Sequence, residues 1–389
     1  MFPQAMVEEA VDECGVREER DRTLPAALTT YLGLGLWLWP GQGAVKVLRN
    51  MTDALTWAAL DTGAESPAVV NSSSITKARK RLGYEVYESL FAQTIAARDT
   101  FEDERWHGLT AVGVDGMCVD VPDTEANREA FGSHPEAAFP QMQIVAACEI
   151  ASRLLTGAAI GAYATGEKTL TVDLAAQLVF QEGHVYVFDR GFCGYDLFGR
   201  LRATGAHVVM RAGSQFPLTQ AKVLPDGTYL AELHKAGREA ITVRVIEYSV
   251  TTTDHATGEV TEGETVRLIT DLLDVEAYPA EDFPDLYRSR WVSEEIFDAV
   301  KTDMRGGTDA VLRSRSPELA RGEAWALLCV YQAIGDLVVQ VGDTAGESPD
   351  RISFSDTLRF FRSTITSVAE AFSPSTVEIR HRQGRSGTN

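Results

Sequence analysis

Up to about residue 98, apolar positions recur at helical spacing; beyond residue 109 they run together or alternate. Residues 24–64 predict two helices broken at Pro40-Gly41-Gln42-Gly43. The second carries Val45, Val47, Leu48, Met51, Leu55 and Ala58 on one face. Asn71-Ser72-Ser73-Ser74 is a ready N-cap for a helix starting near Ile75, and a further helix follows Gly83 over 84–98. Ahead of them, the acidic residues 1–22 predict a loose or short helical arm.

The change of period predicts a sheet. Residues 109–115 read as a strand closing on Asp115-Gly116. Strands over 142–150 and 154–162 flank a tight connection at Ser152-Arg153 and so pair as a hairpin, after a polar loop over 122–140. A helix over 169–180, an apolar strand over 184–189 closing on Asp189, a helix over 194–204 and a strand over 207–211 follow. The order β-β-β-α-β-α-β predicts an α/β fold with a mixed sheet covered by helices. Residues 212–285 lose this texture and read as a β-rich insertion in the sheet. Its pieces at 241–250 and 264–272 are set apart by Pro225-Asp226-Gly227 and Asp254-His255-Ala256-Thr257-Gly258.

An amphipathic helix over 286–304 then carries two stripes. Ile296, Val300 and Met304 stand at i, i+4 and i+8, and Trp291 and Phe297 thicken this apolar side. Tyr287, Arg290, Glu294 and Lys301 are spaced three, four and seven residues apart, which brings them to neighbouring angles along about four turns. A long apolar helix over 318–341 offers Trp325, Leu328 and Tyr331 to a core, and the tail from Arg380 is basic and polar.

Composition narrows the function. With 44% hydrophobic and 24% charged residues the chain is globular, and its longest apolar run, residues 31–40, is too short for a bilayer. Residues 1–22, acidic and without an apolar stretch, do not read as a signal peptide, and five scattered cysteines without a CxxC pair point to a reducing cytoplasm rather than to disulfides or zinc. The 36 Lys and Arg against 56 Asp and Glu give a net charge of −20, the wrong sign for holding nucleic acid by bulk electrostatics. Any polyanion site is therefore a local patch. Lys77, Arg79, Lys80 and Arg81 supply one such patch, on a helix that follows a helix and a turn. That is the outline of a helix-turn-helix reader, and equally of an ordinary solvated basic face.

Asp115 and Asp189 each close an apolar strand, where open α/β sheets place their ligand sites. A single such Asp is usually a cap or loop ligand. If the two strands are neighbours the pair needs a cation, and a set of oxygen-only donors suits Mg²⁺ or Mn²⁺. Glu294 would add a third carboxylate, enough for two ions roughly 3.5–4 Å apart, the arrangement of phosphoryl transfer. The alternative for the 286–304 helix is a solvated face with ordinary ion pairs.

The Asp115-Gly116 strand end, with Val121-Pro122-Asp123-Thr124-Glu125-Ala126-Asn127 and Phe131-Gly132, resembles the first catalytic block of DDE insertion-sequence transposases. Phe188-Asp189-Arg190-Gly191-Phe192 resembles their second. Tyr287, Arg290, Glu294 and Lys301 match the Y-x2-R-x3-E-x6-K signature of the insertion-sequence-four family. Residues 24–43 and Ala78-Arg79-Lys80-Arg81-Leu82-Gly83 resemble its helical amino-terminal domain.

The likeness implies a ribonuclease-H-like core over 106–306 with a β-rich insertion at 212–285. Around it stand an acidic arm (1–22), a helical DNA-binding domain (23–105), packing helices (307–372) and a disordered tail (373–389). It implies that Asp115, Asp189 and Glu294 ligate two Mg²⁺ ions for cutting transposon ends and joining the 3′-hydroxyl to target DNA, by way of a hairpin in known members. Tyr287, Arg290, Lys301 and Arg190 would then meet DNA, and Trp291 would either stack on a displaced base or pack in the core. The expected partners are double-stranded DNA (terminal inverted repeats and target) and a second copy of the chain. Gln143 stands where relatives often carry Arg, and the tail looks abbreviated. A non-catalytic or decayed DNA-binding derivative is the alternative, and an unrelated phosphatase would leave Tyr287, Arg290 and Lys301 unexplained.

Overall fold

Strand β1 (Thr110–Asp120) sets the two layers of the molecule because its side chains are apolar in both directions. Val112 and Val114 enter a core on one face of the sheet, and Met117 and Val119 enter a second core on the other. The computed structural model describes residues 2–20, 22–54, 70–96, 105–176, 180–253, 260–307 and 310–365.

Around β1 a nine-stranded sheet forms in the order β3-β2-β1-β4-β5-β9-β8-β7-β6. β2 (Gln141–Glu149) and β3 (Leu155–Ala162) make the antiparallel hairpin, with Arg153 at a φ of 60° in its turn. β4 (His184–Phe188) and β5 (His207–Ala212) run parallel to β1, β4 reached from β3 through one helix and β5 from β4 through another. The helices α7 (Glu167–Ala176) and α8 (Tyr195–Arg202) cover the Val112–Val114 face. β9 (Val260–Thr270) pairs antiparallel with β5, and β8 (Ile241–Thr253), β7 (Tyr229–Leu233) and β6 (Thr219–Val223) extend the same sheet outward. Arg244, fully buried, anchors this extension by donating to Thr228, Asp226 and the Tyr278 carbonyl.

Helices α1 (Gln4–Glu13), α2 (Ala26–Leu38), α3 (Ala44–Ala54), α4 (Ser72–Leu82) and α5 (Glu85–Ala96) precede the sheet. Of the two readings of the acidic start, the short helix is the one formed, and it is packed in: Val7, Ala10 and Val11 of α1 are buried in the core shared with α2 and α5. That core continues into the Met117–Val119 face of the sheet. α11 (Pro317–Ala345) runs through its middle and α12 (Phe354–Ile365) packs on α11. By length and composition α11 would cross a membrane, yet 89% of its apolar window is buried inside the protein. It is a core helix. The indole of Trp37 donates to the Glu323 carbonyl at 2.8 Å and Cys329 Sγ to the Tyr87 carbonyl at 3.3 Å, so both ends of the α2–α5 group are tied to it.

Three expectations change. The polar loop over 122–140 contains a short helix, α6 (Glu125–Phe131), capped by the Thr124 hydroxyl and anchored by buried Phe131. Residues 212–240 contain β6 and β7, invisible to patterning because every residue of β6 is exposed. The 286–304 helix is not continuous: it divides into α9 (Phe283–Ser289), α10 (Trp291–Ala299) and a π-helical turn, Val300–Met304. The expected tail at 373–389 lies outside the described residues.

Candidate active site

The last register pair between β1 and β4 is Val114 with Phe188, so Asp115 and Asp189 are the next residues on adjacent parallel strands. Asp115 does not end its strand, since β1 runs on to Asp120; it stands where the β1–β4 ladder stops and the sheet opens. Its Oδ1 accepts from the Gly116 amide at 2.8 Å. Asp189 follows β4 directly and accepts from the Tyr287 hydroxyl at 3.1 Å.

Glu294 arrives from α10, which lies close on β1 because Gly113 has no side chain. A Cβ there would stand 2.3 Å from Ser293 Oγ. Arg290, at the joint between α9 and α10, faces the same point. Its Nη2 lies 2.7 Å from Glu294 Oε1 and its Nη1 3.5 Å from Asp115 Oδ2. The guanidinium also lies 5.7 Å from the centre of the Tyr287 ring, a cation–π contact. Asp115, Asp189, Tyr287, Arg290 and Glu294 thus form one constellation. Glu295 points elsewhere and pairs with Arg153.

The site is short of positive charge. Burial pushes the Asp115 carboxyl above its usual range, and Glu294 and Asp189 push the same way; the Gly116 amide and Arg290 pull it back only in part. Burial and the charge of Asp189 raise the Tyr287 hydroxyl to about 12, so it is a neutral donor. Burial works against the Arg290 charge, yet the bond to Glu294 with Tyr287, Asp115 and Asp189 around it keeps its affinity for the proton above the ordinary value. The Nε of Arg290 is buried without a partner. Among the described residues, no three His, Cys, Asp or Glu side chains converge as a ready metal cage; the carboxylates converge on Arg290 and Tyr287 instead. The oxygen-only donors and their mutual repulsion still fit a hard divalent cation, which Asp115, Asp189 and Glu294 could hold.

The remaining candidates scatter. Trp291 is 62% exposed beside Arg290, so it does not belong to the apolar side assigned to it by helical spacing. Arg190 is exposed in the turn after Asp189, with its stem against Gly213. Lys301 sits half-buried in the π-turn, and its charge is felt at Cys118. On α4, Arg79 donates to Ser314 Oγ at 3.0 Å and Arg81 to the Leu24 carbonyl at 2.7 Å, so both are partly spent on the protein itself. Lys77 and Lys80 are exposed and hold no ion pair among the described residues.

Two residues near the site carried no sequence signal. Arg211, on β5, neighbours Tyr287 and pairs with Glu264 at 2.6 Å. Glu167, the first residue of α7, bonds to Gln143 at 3.2 Å, and burial, then Asp115 and Asp189, raise its carboxyl above the usual range. Both lie outside the recognisable blocks. Only their elements' placement against β1 and β4 reveals them.

The strand order, two carboxylates at the open end of the β1–β4 ladder and an acidic helix laid across β1 define a ribonuclease-H-like fold. Residues 106–333 match the transposase DDE domain and residues 1–92 the insertion element 4 transposase amino-terminal domain. The chain belongs to the DDE transposases of the insertion-sequence-four family, and its function is DNA transposition.

It is 26% identical over 373 residues to the transposase InsG for insertion sequence element IS4 of Escherichia coli K12, covering 90% of this chain and 78% of that one. It is 30% identical over 158 residues to the putative transposase InsZ of the same organism, 38% of this chain and 52% of the relative. In fold it is similar to the piggyBac transposase in a synaptic complex with hairpin DNA. The TM-score is 0.50 at 9% identity, over 94% of this chain and 78% of that one.

Proposed function

We propose that the chain cuts double-stranded DNA at transposon ends and joins the freed 3′-hydroxyl to target DNA, as a Mg²⁺-dependent endonuclease and strand transferase working as a homodimer on paired terminal inverted repeats. The observation that carries this reading is the meeting of Tyr287, Arg290 and Glu294, from one bent helix pair, with Asp115 and Asp189 from two adjacent strands. Asp115, Asp189 and Glu294 would hold two Mg²⁺ (or Mn²⁺) ions, which supply Lewis acidity and a nucleophilic oxygen at neutral pH.

The protein's own residues do the rest. Tyr287, protonated throughout the working pH range, fixes the rotamer of Asp189 through its hydroxyl. Arg290 has a planar fork already desolvated and one N–H unspent, which suits it to a phosphate oxygen beside the carboxylates. Exposed Trp291, on the next residue, offers an indole face to an unstacked base. Arg190, Lys301, Lys77 and Lys80, with Arg79 and Arg81 in part, provide backbone contacts along the duplex. The cytoplasm holds both DNA and the metal.

Incubation with Mg²⁺ and a plasmid bearing the element's own terminal repeats tests this, beside an Asp189→Ala control. Metal-dependent cuts at the repeat ends, absent in the control, are expected. Repeat-specific binding with no cutting would instead make the chain a DNA-binding derivative.

A further inference from the structure

The two acidic motifs share a feature that the three-carboxylate scheme leaves unexplained: each has a glycine close behind its Asp, and both glycines border the same side chain. A Cβ at Gly116 would stand 2.3 Å from Glu167 Oε1, and a Cβ at Gly191 would stand 3.8 Å from Glu167 Oε2. Side chains alternate across a strand, so position 116 faces the α7 side of the sheet while Asp115 faces α10. Glu167 therefore comes in over the strand from the face opposite Glu294, at the level where the β1–β4 ladder ends.

Its position is built. The amide of Gln143, only 4% exposed, donates to Glu167 Oε1 at 3.2 Å while its oxygen accepts from Cys118 Sγ at 3.0 Å. Next in the chain, Lys168 donates to the Cys193 carbonyl at 2.7 Å, which ties the start of α7 to the loop following Asp189. Gly161 on β3 leaves room for Leu170, the apolar anchor of the same helix. A half-buried carboxylate held beside two others, with no cation within bonding distance among the described residues, costs stability unless something positive joins it.

We infer that Glu167 is a fourth carboxylate of the active site, reaching the divalent metal held by Asp115 and Asp189 from the face of the sheet opposite Glu294. This rests on the reading that Asp115 and Asp189 bind metal. It gives the Asp-Gly motif a steric reason, since any side chain at 116 would push Glu167 off the strand, while Gly191 borders its second oxygen at ordinary van der Waals distance. Gln143 then acts as a positioning residue, holding the carboxylate by a neutral hydrogen bond that leaves its charge for the ion.

Mn²⁺ titration of the full chain, followed by the EPR signal of the free ion, separates the possibilities. Wild type, Glu167→Gln, Glu167→Asp and Asp189→Asn are compared, with the metal-free Tm of each. Glu167→Gln is expected to weaken Mn²⁺ binding by about 10- to 100-fold, with Glu167→Asp between it and wild type. Its metal-free Tm should be unchanged or higher, because a like charge has been removed. Wild-type affinity in Glu167→Gln, with binding lost in Asp189→Asn, overturns the role of Glu167 and leaves the Asp115–Asp189 reading standing. A lowered metal-free Tm with unchanged affinity also overturns it, by making the residue a structural support. Mn²⁺ binding that Asp189→Asn does not weaken overturns the metal reading itself.

Discussion

At the scale of single residues the charge balance turns on Arg290, whose side chain is 6% exposed between carboxylates of 19% and 43% exposure. Its loss in Arg290→Ala leaves Asp115 and Glu294 facing each other, with solvent screening at Glu294 moderating the cost to about 1–3 kcal/mol. The Tm deficit measured without metal is expected to shrink when Mg²⁺ is added, because a divalent ion replaces the lost cation; a deficit indifferent to Mg²⁺ contradicts this. Tyr287→Phe keeps the ring beneath the guanidinium and removes the bond to Asp189. It should cost about 0.5–1.5 kcal/mol in stability and slow end cleavage with little change in end binding, measured by gel shift. Asp115, Asp189 and Glu294 stood out as candidates because apolar runs closing on a carboxylate and helical spacing mark them, although β1 runs on past Asp115. Glu167 did not, because it opens a helix behind a glycine and reaches the site only through the packing of α7 on the sheet.

Elements deliver these residues, and two of them do so in ways that a period cannot show. The 286–304 stripe assumed one straight helix. The joint at Arg290 instead falls inside the Tyr287–Glu294 group, and Lys301 lies in the π-turn Val300–Met304. Hydrophobic spacing found the helix, while its break depends on how Phe283, Tyr287 and Ile296 settle against different cores. The approach of α10 to β1 is the more sensitive feature. Gly113→Ala drives a methyl into Ser293, and is expected to move Glu294 from Asp115 and cut the cleavage rate at least tenfold while the far-ultraviolet spectrum stays native. On the other side of the molecule, buried Glu323 accepts from the Arg313 and Ser314 amides and the Ser314 hydroxyl, which in turn accepts from Arg79 of α4. Glu323→Ala orphans those amides and should lower stability by about 2–4 kcal/mol in denaturant titration.

For the whole molecule, one core joins α1–α5, α11 and one face of the sheet, so the amino-terminal helices are bound to the catalytic sheet by packing as well as by chain. A single cooperative calorimetric transition is expected, and two separable transitions would contradict the shared core. The net charge of −20 sets a second expectation. If DNA is held by the few local cations proposed above, affinity should fall on a shallow salt slope near the number of phosphates contacted; the steep slope of a broad basic surface is not expected. The central claim is that three carboxylates from two strands and a helix act together on the phosphodiester. Cleavage of a labelled terminal-repeat duplex in Mg²⁺ by Asp115→Asn, Asp189→Asn and Glu294→Gln, each checked for intact end binding, tests it most directly. Each variant should lose about a thousandfold or more in rate, several kcal/mol of transition-state stabilisation, while still binding the end. Any one of them cutting within tenfold of wild type would contradict the account.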